Sequence, residues 1–458
     1  MLNFLKRKFC AGEDLYFLTW GLDIEHGGMT IAMLNRAKAI TSKYKVAVTI
    51  LTLSQDVDIE EKFKKIKERY QLGNNVHLKN LWIDYSKYAE FDEGFSSSNC
   101  IPKAFTKLDV LSQDDLYTFY GIEGQKVGYT LRNKKTGVEG YGALKNLECV
   151  GLKKGGKIWD KSGQTIVSWK GHWQLYRKWF DDIFRDIYSI LIVDSKTAAD
   201  CLVSYKKNNL KKIYMVHGSH LYEGKFEERR KYAMSDGDNF DAFVFLTNKQ
   251  KNDYISLVGN KDNCHVVHNF IEPTKRNIKP RPLNTAVMVA RLDEDKQIDH
   301  AILALSLLKN KYDLSIALDI YGDGELKEEF IELTKKLNLS DEIVFKGYSE
   351  NVREKLSNYS FMLFTSKAEG FGMVLVEGME KGCIPISYDL DYGPSEIISN
   401  GIDGYLIDKN PTAMAEILRH LIIDRSQKDI HDMRKKAARS IDKYSMGKIA
   451  KYWRNVCS

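Results

Sequence analysis

Short β-branched runs alternate with amphipathic helical stretches in both the early and the late part of this chain, and that alternation confines it to layered α/β architectures. The stretch 14–20 reads as a strand, Gly27-Gly28 as a turn and 29–44 as a helix, and 45–53 and 58–70 repeat the pattern as strand and charged helix. The pattern lapses, resumes at 189–194, and continues through strands expected at 213–216, 242–247 and 266–270. From Glu272 to Pro282 the chain holds three of its seven prolines and four basic residues, the composition of a linker. Beyond it strands are expected at 286–290, 314–321, 342–347, 361–365 and 383–388, with helices between them. At 458 residues the chain exceeds one hydrophobic core. The reading is a first α/β domain from 1–75 and 181–272, an inserted β-rich add-on at 76–180, a linker at 273–283, a second α/β domain at 284–440 and a terminal segment at 441–458.

The interruption follows a different pattern. Runs such as Lys126–Leu131 and Gln164–Trp169 are separated by Asn133–Gly137 and Asp160–Gly163, which signals antiparallel hairpins, and eleven of the 32 glycines fall between Gly121 and Gly171. An inserted antiparallel meander is expected. Charge concentrates there as well: Ile101 to Phe180 carries 14 basic and 7 acidic residues, a surplus of +7 that equals the net charge of the whole chain (69 − 62). Seven widely spaced cysteines without a Cys-x-x-Cys pair are expected as reduced thiols. No apolar run approaches the ~20 residues of a membrane helix, and Met1–Phe9 lacks the layout of a signal peptide, so a cytoplasmic location is expected.

Ligands of open parallel sheets bind beyond the carboxyl ends of the strands. After the strand ending at Thr365 the chain runs Ser366-Lys-Ala-Glu-Gly-Phe-Gly-Met-Val-Leu-Val-Glu-Gly-Met-Glu380. Gly370 and Gly372, on either side of Phe371, let backbone approach a ligand, and a helix starting near Met373 and Val374 offers free N–H groups to an anion. Glu369 before that helix and Glu377 within it suit hydroxyl groups; the plainer alternative is a pair of acids favoured at a helix start. A nucleotide sugar presents both phosphate and hydroxyls. A glycosidase pair is disfavoured, because its carboxylates stand ~5 to 9 Å apart whereas eight helical residues span ~12 Å.

Arg291 and Lys296 follow the strand at 286–290, placed either to neutralise a departing diphosphate or to form a solvated turn with Asp293 or Asp295. His217 and His220 follow another strand, as site residues or as structural histidines, while His265 and His268 read as structural. Glu25–Thr30 is like a phosphate loop but lacks Gly-x-Gly-x-x-Gly, which disfavours a dinucleotide-dependent dehydrogenase, and no cluster with metal-ligand spacing occurs.

Taken together, Arg291 and Lys296, Glu369-Gly-Phe-Gly-x4-Glu377 and Asn400-Gly-Ile-Asp-Gly-Tyr-Leu406 resemble the retaining GT-B glycosyltransferases of family 4 over most of 284–440. Leu22–Thr30 and Asp391-Tyr-Gly-Pro-Ser-Glu-Ile397 are similar to the branch of wall-teichoic-acid α-glycosyltransferases, which act on poly(glycerol-phosphate) or poly(ribitol-phosphate). The resemblance implies two Rossmann-like domains facing a cleft, with the meander inserted in the first and the terminal helix crossing back to it. It places Arg291 and Lys296 on the diphosphate, the helix start at Met373 and Val374 as its cap, Glu377 on the ribose and Glu369 on the sugar. Backbone at Lys346 to Tyr348 would receive uracil, Gly27 and Gly28 would lie beside diphosphate and acceptor, and His217 or His220 would meet the sugar's primary hydroxyl.

The activity so implied is transfer, with retention, of glucose or N-acetylglucosamine from a UDP-sugar to a polyol-phosphate polymer, with no cofactor and no metal. The rival acceptors are a capsule lipid-linked intermediate or the serines of an adhesin; the branch acting on adhesins usually lacks the Pro-Ser-Glu found at 394–396. A non-catalytic GT-B subunit that binds glycan or chaperones a partner is the reading from another class. The basic insert suits an anionic acceptor polymer rather than nucleic acid, or contact with the inner membrane face, and in the teichoic-acid branch such an insert can build a homotrimer.

Overall fold

The computed structural model describes residues 14–22, 28–54, 59–86, 115–122, 125–133, 139–142, 147–149, 156–159, 165–170, 172–222, 224–259, 261–272, 274, 276 and 278–458, with backbone alone at 85, 86, 115–167 and 172. Two compact units divide the chain, one from 1–215, 228–242 and 457–458, the other from 216–227 and 243–456.

In the first unit β1 (Asp14–Thr19), α1 (Gly28–Tyr44), β2 (Val48–Thr52), α2 (Ile59–Tyr70), β3 (Val76–Asn80) and α3 (Leu81–Ser86) alternate as the sequence implies. Then come antiparallel strands β4 (Asp115–Ile122), β5 (Gln125–Asn133) and β6 (Glu139–Gly142), and β7 (Leu147–Cys149), β8 (Gly156–Trp159) and β9 (Thr165–Trp169). These are two three-stranded sheets with register pairs such as Phe119↔Tyr129 and Ile158↔Val167, the inserted meander. Alternation resumes with α4 (His172–Ile183), β10 (Ser189–Val193), α5 (Lys196–Asp200) and β11 (Leu210–Val216).

Parallel pairing places β1 between β2 and β10, with β3 beyond β2 and β11 beyond β10. Both faces of such a sheet are covered, so its strands are continuous apolar runs: Phe17, Leu18, Ile50, Ile190 and Ile192 are fully buried. The core takes in more of the chain than the expected add-on boundaries of 76–180 allow. β3 lies past residue 75, and α4 buries Leu175, Trp179 and Phe180. β3 escapes notice in the sequence because it is an edge strand whose middle, His77-Leu-Lys79, is partly exposed.

The segment after β11 carries the short strands β12 (Leu221–Tyr222) and β13 (Lys225–Phe226), then α6 (Glu228–Met234) and β14 (Ala242–Phe245). In the second unit follow α7 (Asn248–Val258) and β15 (Cys264–Val266), the latter in parallel register with β14. Next come β16 (Thr285–Val289), α8 (Ile298–Tyr312), β17 (Ala317–Tyr321), α9 (Lys327–Lys336), β18 (Ile343–Gly347) and α10 (Val352–Lys355). The remaining elements are β19 (Phe361–Phe364), α11 (Met373–Glu380), β20 (Ile384–Tyr388), α12 (Pro394–Ile397), β21 (Tyr405–Ile407), α13 (Pro411–Arg419), α14 (Gln427–Ser440) and α15 (Met446–Cys457).

The second unit's sheet runs β18-β17-β16-β19-β20-β21, parallel throughout. In order of appearance that is 3-2-1-4-5-6, so the topology reverses between β16 and β19, and ligands of such sheets bind outside the strand ends at the switch point. Local signals fix the helices around it. Thr247 caps α7 by accepting from the Gln250 N–H at 3.0 Å, Asn410 caps α13 from the Ala413 N–H at 2.8 Å, and Ser426 with Asp429 forms a capping box on α14.

The stretch expected as a linker is fastened to the second unit. The Glu380 carboxylate accepts from the Thr274 N–H at 2.7 Å and its hydroxyl at 2.6 Å, and Arg281 donates to the carbonyls of Tyr359 and Lys381. Ile271 bridges to Ser445 just before α15, whose last residue, Cys457, clusters with the first unit.

Candidate active site

The switch point brings together two segments that lie far apart in sequence. After β16 the chain turns through Arg291 to a short 3-10 turn, Glu294–Lys296; after β19 it runs through Thr365 and Ser366 into the glycine loop. The Thr365 hydroxyl donates to the carbonyl oxygens of Lys296 and Gln297 at 2.7 and 2.9 Å, and the Lys367 N–H to that of Asp295 at 2.7 Å. These bonds seat the Lys296 ammonium against the Glu369 carboxylate, which also accepts from the Ser366 hydroxyl at 2.9 Å. Both side chains are 18% exposed, so the pair is screened less than a surface ion pair yet within reach of a ligand.

Arg291 behaves differently. Its side chain is 64% exposed and pairs with Asp293 at 3.0 Å, the turn arrangement that was the alternative reading of this residue.

The glycines are required by geometry. A Cβ on Gly370 would lie 1.9 Å from the His217 carbonyl oxygen, and Gly372 has φ +90°. Gly372 is also the residue before α11 and gives that helix no side-chain cap, so the first turn, with the N–H groups of Met373 and Val374, is a helix end of the kind to which anions can bind. Phe371 is buried and stacks on His268 at 5.5 Å between centroids. His268 in turn bonds through Nδ1 to the Leu246 carbonyl at 2.7 Å, and burial pulls its pKa down, so it is structural, as the sequence reads it.

Glu377, one turn into α11, is mostly buried, and burial raises its carboxyl to about 7, against the attraction of Arg353 and with a smaller push from Glu380. A carboxyl so placed is held by desolvation rather than by a counter-charge, and hydroxyl donors are the partners that would satisfy it. Glu380, by contrast, is structural: burial pushes its pKa up, but the bonds from Thr274, with Arg353 and Lys381, bring it below its usual value.

The histidines separate clearly. His220 is fully buried and ringed by Phe226, Phe245, Tyr254 and Tyr392, stacking on Tyr392 at 5.7 Å and 20°. His217 is partly exposed, and its backbone touches the glycine loop at Gly370. At the far side of the sheet Lys346, next to last in β18, pairs with Asp319 at 3.3 Å, and Tyr348 is 53% exposed beyond it. Gly28 begins α1 in the first unit, with open space around it, and Gly27 lies outside the described residues.

Tyr392 and Glu396 stood out in the sequence only as part of the Asp391–Ile397 motif, and Asp253 not at all; in the structure Tyr392 stacks on His220 and donates to Asp253, and Glu396 accepts from the first N–H groups of α7. Among the described residues no group of three or more His, Cys, Asp or Glu side chains is gathered as for a metal ion, and no helix is long and apolar enough to cross a membrane.

Residues 271–440, which include Arg291, Lys296, Glu369 and Glu377, match the family model "Glycosyl transferases group 1". The poly(ribitol-phosphate) alpha-N-acetylglucosaminyltransferase of Staphylococcus aureus (strain COL) is 22% identical over 97% of this chain and 99% of its own length. The poly(glycerol-phosphate) alpha-glucosyltransferase of Bacillus subtilis (strain 168) is also 22% identical, over 96% of this chain and 74% of its own. Among solved structures, a mutant of S. aureus TarM in complex with fondaparinux, alpha-GlcNAc-glycerol and UDP superposes with a TM-score of 0.75 at 19% identity, covering 97% of this chain and all of that one. The fold is GT-B, with a parallel α/β sheet in each half and the antiparallel insert as an addition.

Proposed function

We propose that this chain is a retaining glycosyltransferase of family 4 that moves glucose or N-acetylglucosamine from a UDP-sugar onto a polyol-phosphate polymer of the wall-teichoic-acid type. The observation that carries the reading is the Lys296–Glu369 pair beside the uncapped start of α11, with the mostly buried Glu377 one turn on, all at the switch point of one sheet. Two relatives matched over nearly the whole chain transfer sugars to such polymers.

In this reading the diphosphate takes Lys296 and Arg291 and the N–H groups of Met373 and Val374, which stabilises the charge that grows as the bond from phosphate oxygen to the anomeric carbon breaks. Lys296 passes from Glu369 to the phosphate, and Glu369 turns to the sugar hydroxyls. Glu377 accepts from the ribose, and the end of β18 from Lys346 to Tyr348 receives uracil. His217 meets the sugar's primary hydroxyl, because its neighbour His220 is enclosed in the aromatic cage. The acceptor hydroxyl bonds to the anomeric carbon on the face the diphosphate leaves, and its proton passes to the departing phosphate oxygen. No resident metal takes part.

The basic insert is the acceptor's platform and the element through which trimers form, and the protein works in the cytoplasm at the inner membrane face. The test is UDP release from UDP-glucose and UDP-N-acetylglucosamine separately, with and without poly(ribitol-phosphate) or poly(glycerol-phosphate), in EDTA. Polymer-stimulated release from one donor is the expected result; donor binding without polymer-dependent turnover would move the acceptor to a capsule intermediate or a protein.

A further inference from the structure

The Asp391–Ile397 segment packs on the glycine loop at Phe371 and bonds to α7, whose first turn reaches the chain beside His217 at Gly218. Glu396 Oε1 accepts from the backbone N–H groups of Asn248 at 2.5 Å and Lys249 at 3.2 Å, while Oε2 accepts from Asn248 Nδ2 at 3.2 Å. These are the first N–H groups of α7, a helix that Thr247 already caps from its own chain. A carboxylate from 148 residues away completes the cap and complements the positive end of the helix dipole.

The first turn of α7 carries Gln250, fully buried, whose Nε2 donates to the Gly218 carbonyl at 2.7 Å. Tyr392 joins the next turn of α7 to the far end of 217–220, its hydroxyl donating to Asp253 at 2.9 Å while its ring stacks on His220. The backbone carbonyl of Glu396 is itself fixed, accepting from Lys443 Nζ and the Tyr444 hydroxyl, both at 2.7 Å. Gly393 closes the circuit on the donor side, where a Cβ would stand 2.0 Å from the Phe371 carbonyl oxygen, one residue from the Gly370 that abuts His217.

We propose that Glu396 and Tyr392 are positioning residues: they set the His217–His220 turn against the glycine loop, and so decide how the sugar, as distinct from the UDP moiety, is held for transfer. The inference rests on the function proposed above. Lys296 and Arg291, assigned to UDP, bond to Glu369 and Asp293 instead, outside this circuit, which separates the two parts of the donor.

The test compares Glu396→Ala, Glu396→Gln and Tyr392→Phe with the wild-type full chain, measuring UDP and UDP-sugar affinity by calorimetry and kcat and KM for UDP-sugar turnover. Glu396→Ala is expected to lower kcat about 10- to 100-fold, as a displacement on the order of 1 Å does. UDP affinity stays within about twofold, and the extra affinity of UDP-sugar over UDP shrinks. Glu396→Gln, which keeps an oxygen acceptor for α7, recovers most of kcat, and Tyr392→Phe, which keeps the stack, falls between. If UDP affinity falls in step with kcat in Glu396→Ala, or if neither changes, Glu396 is a structural cap and the inference is overturned. A wild-type chain that binds no UDP would overturn the proposed function and this inference with it.

Discussion

Lys296 and Glu369 neutralise each other at the ends of adjacent strands, and a bound diphosphate would compete for the same ammonium. On the proposed reading Lys296→Ala removes the cation that meets the developing charge, and turnover is expected to fall about 10²- to 10³-fold. The melting transition should move far less than turnover, because Glu369 keeps the bond from the Ser366 hydroxyl when the ammonium is lost; an active Lys296→Ala enzyme would end the leaving-group assignment. Glu377 makes a pH-dependent prediction. Burial raises its carboxyl from 4.5 to about 7, so between those values the folded chain keeps a proton that the unfolded chain has lost. Stability attributable to this group then falls as pH rises through that window, and the cost is complete above it. Glu377→Gln is expected to stabilise the protein at pH 8 by on the order of 2 kcal/mol and to leave it unchanged at pH 4, as read by urea unfolding. Equal shifts at both pH values would remove the buried-carboxyl account.

At the scale of elements, the glycine loop before α11 is the most constrained piece of backbone in the candidate site. Gly372→Ala must hold φ +90° with a Cβ in place and is expected to cost about 1–2 kcal/mol. It should also weaken UDP binding, because the first N–H groups of α11 turn with it; unchanged UDP affinity would contradict their role as the anion end. This loop was legible in the sequence because strand, glycines and helix follow one another without a break, so position in the chain predicts position in space. The strands β10, β16, β19 and β20 were legible for a related reason, being largely buried apolar runs. Edge strands β3 and β21 were not, since β3 is partly exposed and β21 has only three residues. Lys296 against Glu369 was legible only as two residues at two strand ends, since their contact depends on β16 and β19 pairing across the topology switch. The difference in burial between His217 and His220 was beyond the sequence altogether. The cage around His220 is assembled from β13, β14, α7 and the Asp391–Ile397 segment, and nothing in the local pattern at 217–220 announces it.

At the scale of the whole molecule, the proposed polyanionic acceptor makes a prediction about where charge should matter. The segment from Ile101 to Phe180 holds a surplus equal to the chain's net +7, and within it the strands form the two antiparallel sheets of the insert. Lys153 and Lys154 lie outside the described residues, and Lys157 lies on β8. Neutralising all three is expected to weaken polymer binding and make its salt dependence shallower, since fewer cations meet the repeated phosphates. Binding that is unchanged across salt would take the acceptor role away from the insert. Activity on the polymer itself is the central claim, and the most direct measurement of it is the anomeric configuration of the sugar joined to poly(ribitol-phosphate) or poly(glycerol-phosphate) after incubation with a UDP-α-sugar, read by proton NMR of the purified polymer. The account predicts a new α-linked sugar on the polyol; a β-linked product, or a polymer recovered unmodified while UDP-sugar is bound, would contradict it.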